Sequence, residues 1–182
     1  MIKPDTRWNT KSEIVTVRFY DELIERGICN YDSETLIFTH KGKEFESFCD
    51  ITSNAKKAKE NWNVYPPIQG WSIYVPNDIE HGANTPETKE FLVESSMRSP
   101  YKRIWKDAEK YPYLMSFLHE IGHTETTTLA MIIADKMSDC NYYDRLAEKA
   151  ASEWAVEHFD MCLPIWKEQY YKEFSVFEYG EK

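Results

Sequence analysis

His119-Glu120-Ile121-Gly122-His123 is an HExxH run, and the rest of the chain is best read outward from it. On a helix, residues four apart lie on nearly the same face, so His119 and His123 can grip one metal ion together. Glu120 sits beside that face, where its carboxylate can take a proton from an activated water. Metal-assisted hydrolysis, with zinc as the ion, is the chemistry this pattern points to. Tyr113, Leu114, Phe117 and Leu118 precede the motif at helical spacing and mark a helix buried on one side. Pro112 suits the first position of that helix. With 5 His in 182 residues, chance would produce an HExxH in roughly one or two of every hundred such sequences. An ordinary amphipathic helix with two incidental histidines is therefore the weaker reading.

Upstream, Ser12 to Arg26 carries an apolar stripe of Ile14, Val17, Phe19, Tyr20, Leu23 and Ile24. Thr10 with Glu13 forms a capping-box pattern and Gly27 a stop, so the segment reads as a helix, although Val15 and Val17 also suit a strand. Thr35 to Thr39 is β-branched and aromatic and reads as a strand. Glu44 to Glu60 reads as a helix, and Pro66, Pro67 and Gly70 then break the chain. Trp71 to Val75 is the second strand candidate, stopped by Pro76-Asn77-Asp78. Pro86 and Pro100 each follow a capping residue, and helices are expected over Glu87 to Arg98 and Tyr101 to Lys110. Beyond the motif, helices are expected over Thr127 to Met137, Tyr143 to Cys162 and Ile165 to Phe174, with Pro164 separating the last two. The expected architecture is α+β: a small β-sheet, then a mostly helical C-terminal half carrying the site. One domain over residues 1–182 is the natural division at this length.

Composition narrows the function classes. A net charge of -9, from 22 basic and 31 acidic residues, disfavours generic binding to nucleic acid or to anionic membranes. Lys56, Lys57 and Lys59 read as a solvated helix face. No apolar run approaches the length of a membrane span. The 4 Cys form no CxxC pair, which disfavours a cysteine zinc knuckle. Met1 to Thr10 lacks an apolar signal core, so free thiols in a reducing, cytoplasmic setting are expected. The aromatic share of 15% reads chiefly as core. His40 and His81 lie beside turn signals and read as solvent-exposed, and Asp78, Glu80 and His81 lack the spacing of a second metal site.

A catalytic zinc site needs three protein ligands and an open position. Thr124 to Leu129 offers no further His or Gly, which disfavours a third histidine close behind the motif. The alternative is a carboxylate from a downstream helix, where Asp144, Glu148, Glu153 and Glu157 are available. Glu148 is preferred, because Ala150, Ala151 and Ala155 around it would let one helix lie close to another. Glu153 and Asp144 stay open as alternatives, and a solvated acidic face is the plain reading of any one of them.

The segments FLHEIGHTE (117–125) and EKAASEWA (148–155) together resemble the ImmA/IrrE family of metallopeptidases. That family carries HExxH on one helix and, some two to three dozen residues on, a motif close to E-x-x-A-N-x-F-A. Glu148 matches the metal-binding Glu, Ala151 the Ala, Trp154 the Phe and Ala155 the final Ala, with Ser152 where Asn is usual. The resemblance implies a gluzincin-like zincin: Zn²⁺ on His119, His123 and Glu148, with Glu120 as general base in peptide-bond hydrolysis. It further implies a regulatory endopeptidase acting on a protein partner. A second electrophile should steady the oxyanion, for which Tyr142, Tyr143 and His158 are candidates. The strand Trp71 to Val75 could pair with an extended peptide substrate. The competing readings are a catalytically inactive zincin-fold binding module, against which the retained Glu120 argues, and a metal hydrolase acting on a small amide.

Overall fold

The computed structural model describes residues 11–30, 36–40, 48–51, 71–76, 79 and 110–174. Four α-helices make up the body that encloses the site: α1 (Lys11–Glu25), α2 (Pro112–Thr126), α3 (Leu129–Met137) and α4 (Leu146–Glu173). A single 3-10 turn, Tyr142–Asp144, leads into α4.

The α+β expectation is corrected. The interpretable body is helical, with no strand or sheet among its elements. Three short extended segments are attached to it: β1 (Leu36–His40), β2 (Phe48–Ile51) and β3 (Trp71–Pro76). β3 lies between the other two, parallel to β1 and antiparallel to β2. The strands are 5, 4 and 6 residues long against 28 for α4 alone. Ile73, the strand residue whose side chain is described, is buried in the helical core. β-Branched runs report local backbone preference. Whether a sheet becomes a layer of the fold depends on what packs on it. Here the helices pack on one another.

That helical core is aromatic. Phe19 of α1 meets Trp166 of α4 edge-on at 5.1 Å and Phe117 of α2 at 6.0 Å. Tyr113 of α2 stacks on Trp166 at 5.5 Å. All four rings are buried, and the Tyr113 hydroxyl finds a partner, with Oη 2.8 Å from Thr16 Oγ1. Such pairs add about 0.5–1.5 kcal/mol each beyond the area they bury.

The expected stop of α1 is present. Gly27 takes φ 68°, its N–H bonds the Ile24 carbonyl at 3.0 Å and the Ile28 N–H bonds the Leu23 carbonyl at 2.9 Å. This is a Schellman closure, which a residue with a Cβ adopts at a cost. Immediately beyond, Asn30 donates its backbone N–H and its Nδ2 to the two carboxylate oxygens of Glu125, at 2.8 and 3.0 Å. The exit of α1 is thereby tied to the end of α2. Pro112 occupies the first turn of α2, as its fixed φ favours. Thr128 caps α3 by accepting from Met131 N at 3.2 Å.

Two local expectations are also corrected. The helix expected over 44–60 contains β2 at Phe48–Ile51, and its remainder lies outside the described residues. Phe45, Phe48 and Cys49 gave helical spacing, but pairing with β3 prevails there. The break expected at Pro164 is absent, and α4 runs through it. Pro164 lacks the N–H that would bond the Asp160 carbonyl, and both residues are exposed, where water can reach such a group. Buried Phe159, Cys162, Ile165 and Trp166 hold both sides of the proline in the core. Thr10, the helix expected over 87–98 and all but Lys110 of the one expected over 101–110 lie outside the described residues, as do the side chain of His40 and all of His81.

Helices α2 and α4 approach unusually closely at Gly122. A Cβ on Gly122 would stand 2.5 Å from the Ala151 carbonyl oxygen and 3.0 Å from the Ala151 Cα. Gly122→Ala should therefore push the two backbones apart and lower unfolding stability by about 1–3 kcal/mol, or more if the helices cannot part. Chemical denaturation midpoints check this; an unchanged midpoint would count against the close approach.

The described cysteines are free thiols: Cys29 and Cys162 in the core, Cys140 half-buried. Burial pushes the Cys162 thiol from 9.0 up to about 12, and Cys29 is raised too, by burial first and then by Glu125 and Cys162. Unfolded thiols ionise from about pH 9 while these stay protonated, so their contribution to stability falls as pH rises above that point. Iodoacetamide at pH 8 should label Cys140 in the folded protein and leave Cys29 and Cys162 unlabelled until denaturant is added. Peptide mapping by mass spectrometry reads the result, and rapid native labelling of Cys162 would contradict it.

Candidate metal centre

His119 and His123 lie one turn apart on α2, their rings 4.7 Å apart between centroids. Glu148 lies in the first turn of α4. The crossing at Gly122 and Ala151 brings the two helices together. His119 Nε2 stands 3.2 Å from Glu148 Oε2, and His123 Nε2 stands 3.5 Å from Glu148 Oε1. One donor atom from each of the three residues falls within 4.8 Å of the others. Four ligands about 2.0–2.1 Å from a zinc ion at tetrahedral angles are about 3.3 Å from one another. The two Nε2–carboxylate separations match that edge. Two imidazoles and one carboxylate also form the donor set that suits zinc among the common divalent ions.

Each histidine is held from behind through its other nitrogen. Ser152 Oγ lies 3.2 Å from His119 Nδ1, and Thr127 Oγ1 lies 3.2 Å from His123 Nδ1. With Nδ1–H donating to the hydroxyl, each Nε2 would be free to bind a cation beside Glu148, the orientation in which histidine binds a metal; in the other tautomer Nε2–H donates to Glu148.

Burial and the hydrogen bonds to Glu148 together set the ionisations. His119 lies 3% exposed and Glu120 5% exposed. Burial lowers the His119 imidazole below its ordinary value, against the opposing hydrogen bond to Glu148. Burial would also lower His123, but the hydrogen bond to Glu148 and the charges of Glu120 and Glu148 raise it overall. Burial would raise the Glu148 carboxyl, yet its hydrogen bonds with His119 and His123 hold it well below the usual carboxylate range. Glu120 moves the other way: burial pushes its carboxyl up to about 8, with His123 opposing and Glu148 adding to the rise. Its Oε2 is buried without a hydrogen-bond partner. An orphaned buried oxygen costs roughly 1–3 kcal/mol; among the described residues Gln169 Nε2, away from this cluster, is buried in the same way.

Among the expected electrophiles, Tyr142 reaches the site. Its side chain is 47% exposed, with the hydroxyl near Glu148; partial burial, Glu148 and Glu120 raise its pKa, with Arg145 opposing. The Arg145 guanidinium sits 5.3 Å over the Tyr142 ring. His158 is turned away, bonded by Nδ1 to the Trp154 carbonyl at 2.8 Å and stacked on the Trp154 ring at 4.0 Å. The Tyr143 side chain lies outside the described residues. The alternative ligands do not join the cluster: Glu153 and Glu157 are exposed, and Asp144 lies 3.9 Å from Lys149 Nζ. Sequence reasoning missed Ser152 and Thr127. Both were within reach, since each lies four residues beyond a ligand, Glu148 and His123, on the same helical face or just past its end.

No protein-family model, no curated protein and no solved structure matches the chain.

Ser152→Ala removes the group behind His119 without touching a ligand. It is expected to weaken zinc binding by about 10-fold or more, the usual cost of losing such a partner. Competition titration against a chromophoric chelator measures this; equal affinity in the two proteins would remove Ser152 from the centre.

Proposed function

We propose that this chain is a zinc metallopeptidase that hydrolyses peptide bonds. The observation that carries the reading is the convergence of His119 Nε2, His123 Nε2 and the Glu148 carboxylate, with the unpartnered buried oxygen of Glu120 beside them. His119, His123 and Glu148 would hold the ion. A zinc ion bound there supplies Lewis acidity to a carbonyl oxygen and to a water. Glu120 accepts the proton of the attacking water and delivers it to the leaving amine. A carboxyl raised to about 8 suits a group that must both take and release a proton near neutrality. Tyr142 donates its hydroxyl proton in a hydrogen bond to the developing oxyanion. Glu148 stays ionised while Glu120 exchanges protons, a division of labour between two carboxylates that their surroundings favour.

The substrate we propose is a protein or peptide, consistent with the resemblance of residues 117–125 and 148–155 to ImmA/IrrE metallopeptidases. That resemblance supports a regulatory endopeptidase, an inference by analogy. A reducing, cytoplasmic setting agrees with the free thiols of Cys29, Cys140 and Cys162. Among the described residues, no helix is long and apolar enough to cross a membrane.

Elemental mass spectrometry of the purified chain is expected to find close to one zinc per chain in wild type and much less in Glu148→Ala. Glu120→Gln should keep the zinc and lose peptidase activity by at least about 100-fold. Tyr142→Phe should keep the zinc and lose about 10- to 1,000-fold in kcat. A wild-type chain that carries no zinc and takes none up on titration would refute the reading.

A further inference from the structure

Glu148 occupies an awkward place for a ligand. It is the third residue of α4, in the turn whose backbone N–H groups have no carbonyls before them to bond. Helix ends without caps fray at little cost in free energy. The residue at the N-cap is Arg145, and its side chain makes no capping hydrogen bond. The cap comes from another helix. Asp135, in the last turn of α3, accepts from Leu146 N through Oδ1 at 2.7 Å and from Ala147 N through Oδ2 at 3.0 Å. These are the two N–H groups directly before that of Glu148. Both carboxylate oxygens are used, and a negative charge at a helix N-terminus gains from the helix dipole as well.

Helix α3 gives this cap its meaning. Its sequence, Leu-Ala-Met-Ile-Ile-Ala-Asp-Lys-Met, is apolar, yet none of its residues is fully buried. Its fixed points are at its ends. It starts from Thr128, next to the Thr127 hydroxyl that holds His123, and Asp135 near its far end holds the start of α4. α3 thus acts as a strut between the second histidine and the carboxylate.

We propose that Asp135 is a positioning residue for the third metal ligand. By accepting from Leu146 N and Ala147 N it keeps the first turn of α4 formed and the Glu148 carboxylate aimed at His119 and His123. The inference rests on the reading of those three residues as a metal centre.

The test is zinc affinity of the full chain by competition titration, in wild type, Asp135→Ala, Glu148→Ala and the double variant, with the metal-free thermal midpoint of each. Asp135→Ala is expected to weaken zinc binding about 10- to 100-fold. In the Glu148→Ala background the same substitution should change affinity less than about 2-fold, because it acts through the side chain already removed. Asp135→Asn keeps one acceptor oxygen; its expected loss is about 3- to 10-fold, again only with Glu148 present. It serves as the test if Asp135→Ala does not fold. A general loss of structure would lower the metal-free midpoint and weaken zinc equally with and without Glu148, and that outcome would overturn the proposal. Zinc held equally by wild type and both Asp135 variants would overturn it as well, while leaving the metal centre intact. A wild-type chain without zinc affinity would instead refute the metal centre itself, and this inference with it.

Discussion

The contact on which the rest depends is the meeting of two backbones at Gly122 and Ala151. Gly122 lies between the two histidines on α2, and Ala151 lies one turn beyond Glu148 on α4. With a Cβ at 122 falling 2.5 Å from the Ala151 carbonyl oxygen, only a glycine lets the helices approach this far. Most helix pairs keep their axes 8–10 Å apart because side chains stand between them. Here their absence brings Glu148 and Ser152 of α4 each within hydrogen-bond reach of His119 on α2. The aromatic packing of Phe19, Phe117, Tyr113 and Trp166 then holds α1, α2 and α4 in that relation.

The closeness has an electrostatic cost. It takes His119 and Glu120 almost wholly out of water and leaves one oxygen of Glu120 unbonded. Folded proteins are only marginally stable, so an uncompensated buried polar atom is a sizeable fraction of the total. Desolvation raises both carboxyls, but hydrogen bonds with His119 and His123 hold Glu148 ionised, while Glu120 is opposed only by the charge of His123 and stays raised. Two acids beside the same pair of histidines thus come to differ in character through their surroundings. A buried carboxyl of raised pKa beside two histidines is what the proposed hydrolysis would use for proton transfer.

Much of the site was legible in the linear chain. The four-residue spacing of His119 and His123 follows from helix geometry, and the alanines around Glu148 pointed to a close helix crossing. Gly27 and Pro112 marked a helix end and a helix start, because φ preference is a property of the residue itself. The failures share a cause. Phe45, Phe48 and Cys49 showed helical spacing, but pairing with β3 outweighs a pattern this short. Pro164 read as a break, yet packing on both sides and an exposed position at Asp160 carry α4 through it. The α+β reading placed two of the three short strands, at 36–40 and 71–76, missed β2, and mistook local extended segments for a layer of the body.

Periodicity and covalent geometry act over a few residues, and within that range the chain states its own intentions: a motif helix, a glycine stop, two histidines facing one way. Whatever joins residues far apart in sequence depends on how the helices settle against one another. That includes the choice of Glu148 over Glu153 and Asp144, the hydroxyls behind each histidine, the turn of Tyr142 toward the carboxylates and of His158 away from them, and the cap that Asp135 lends to α4. None of these has a local signature, because each is set by the small set of side chains that the Gly122–Ala151 crossing allows to meet.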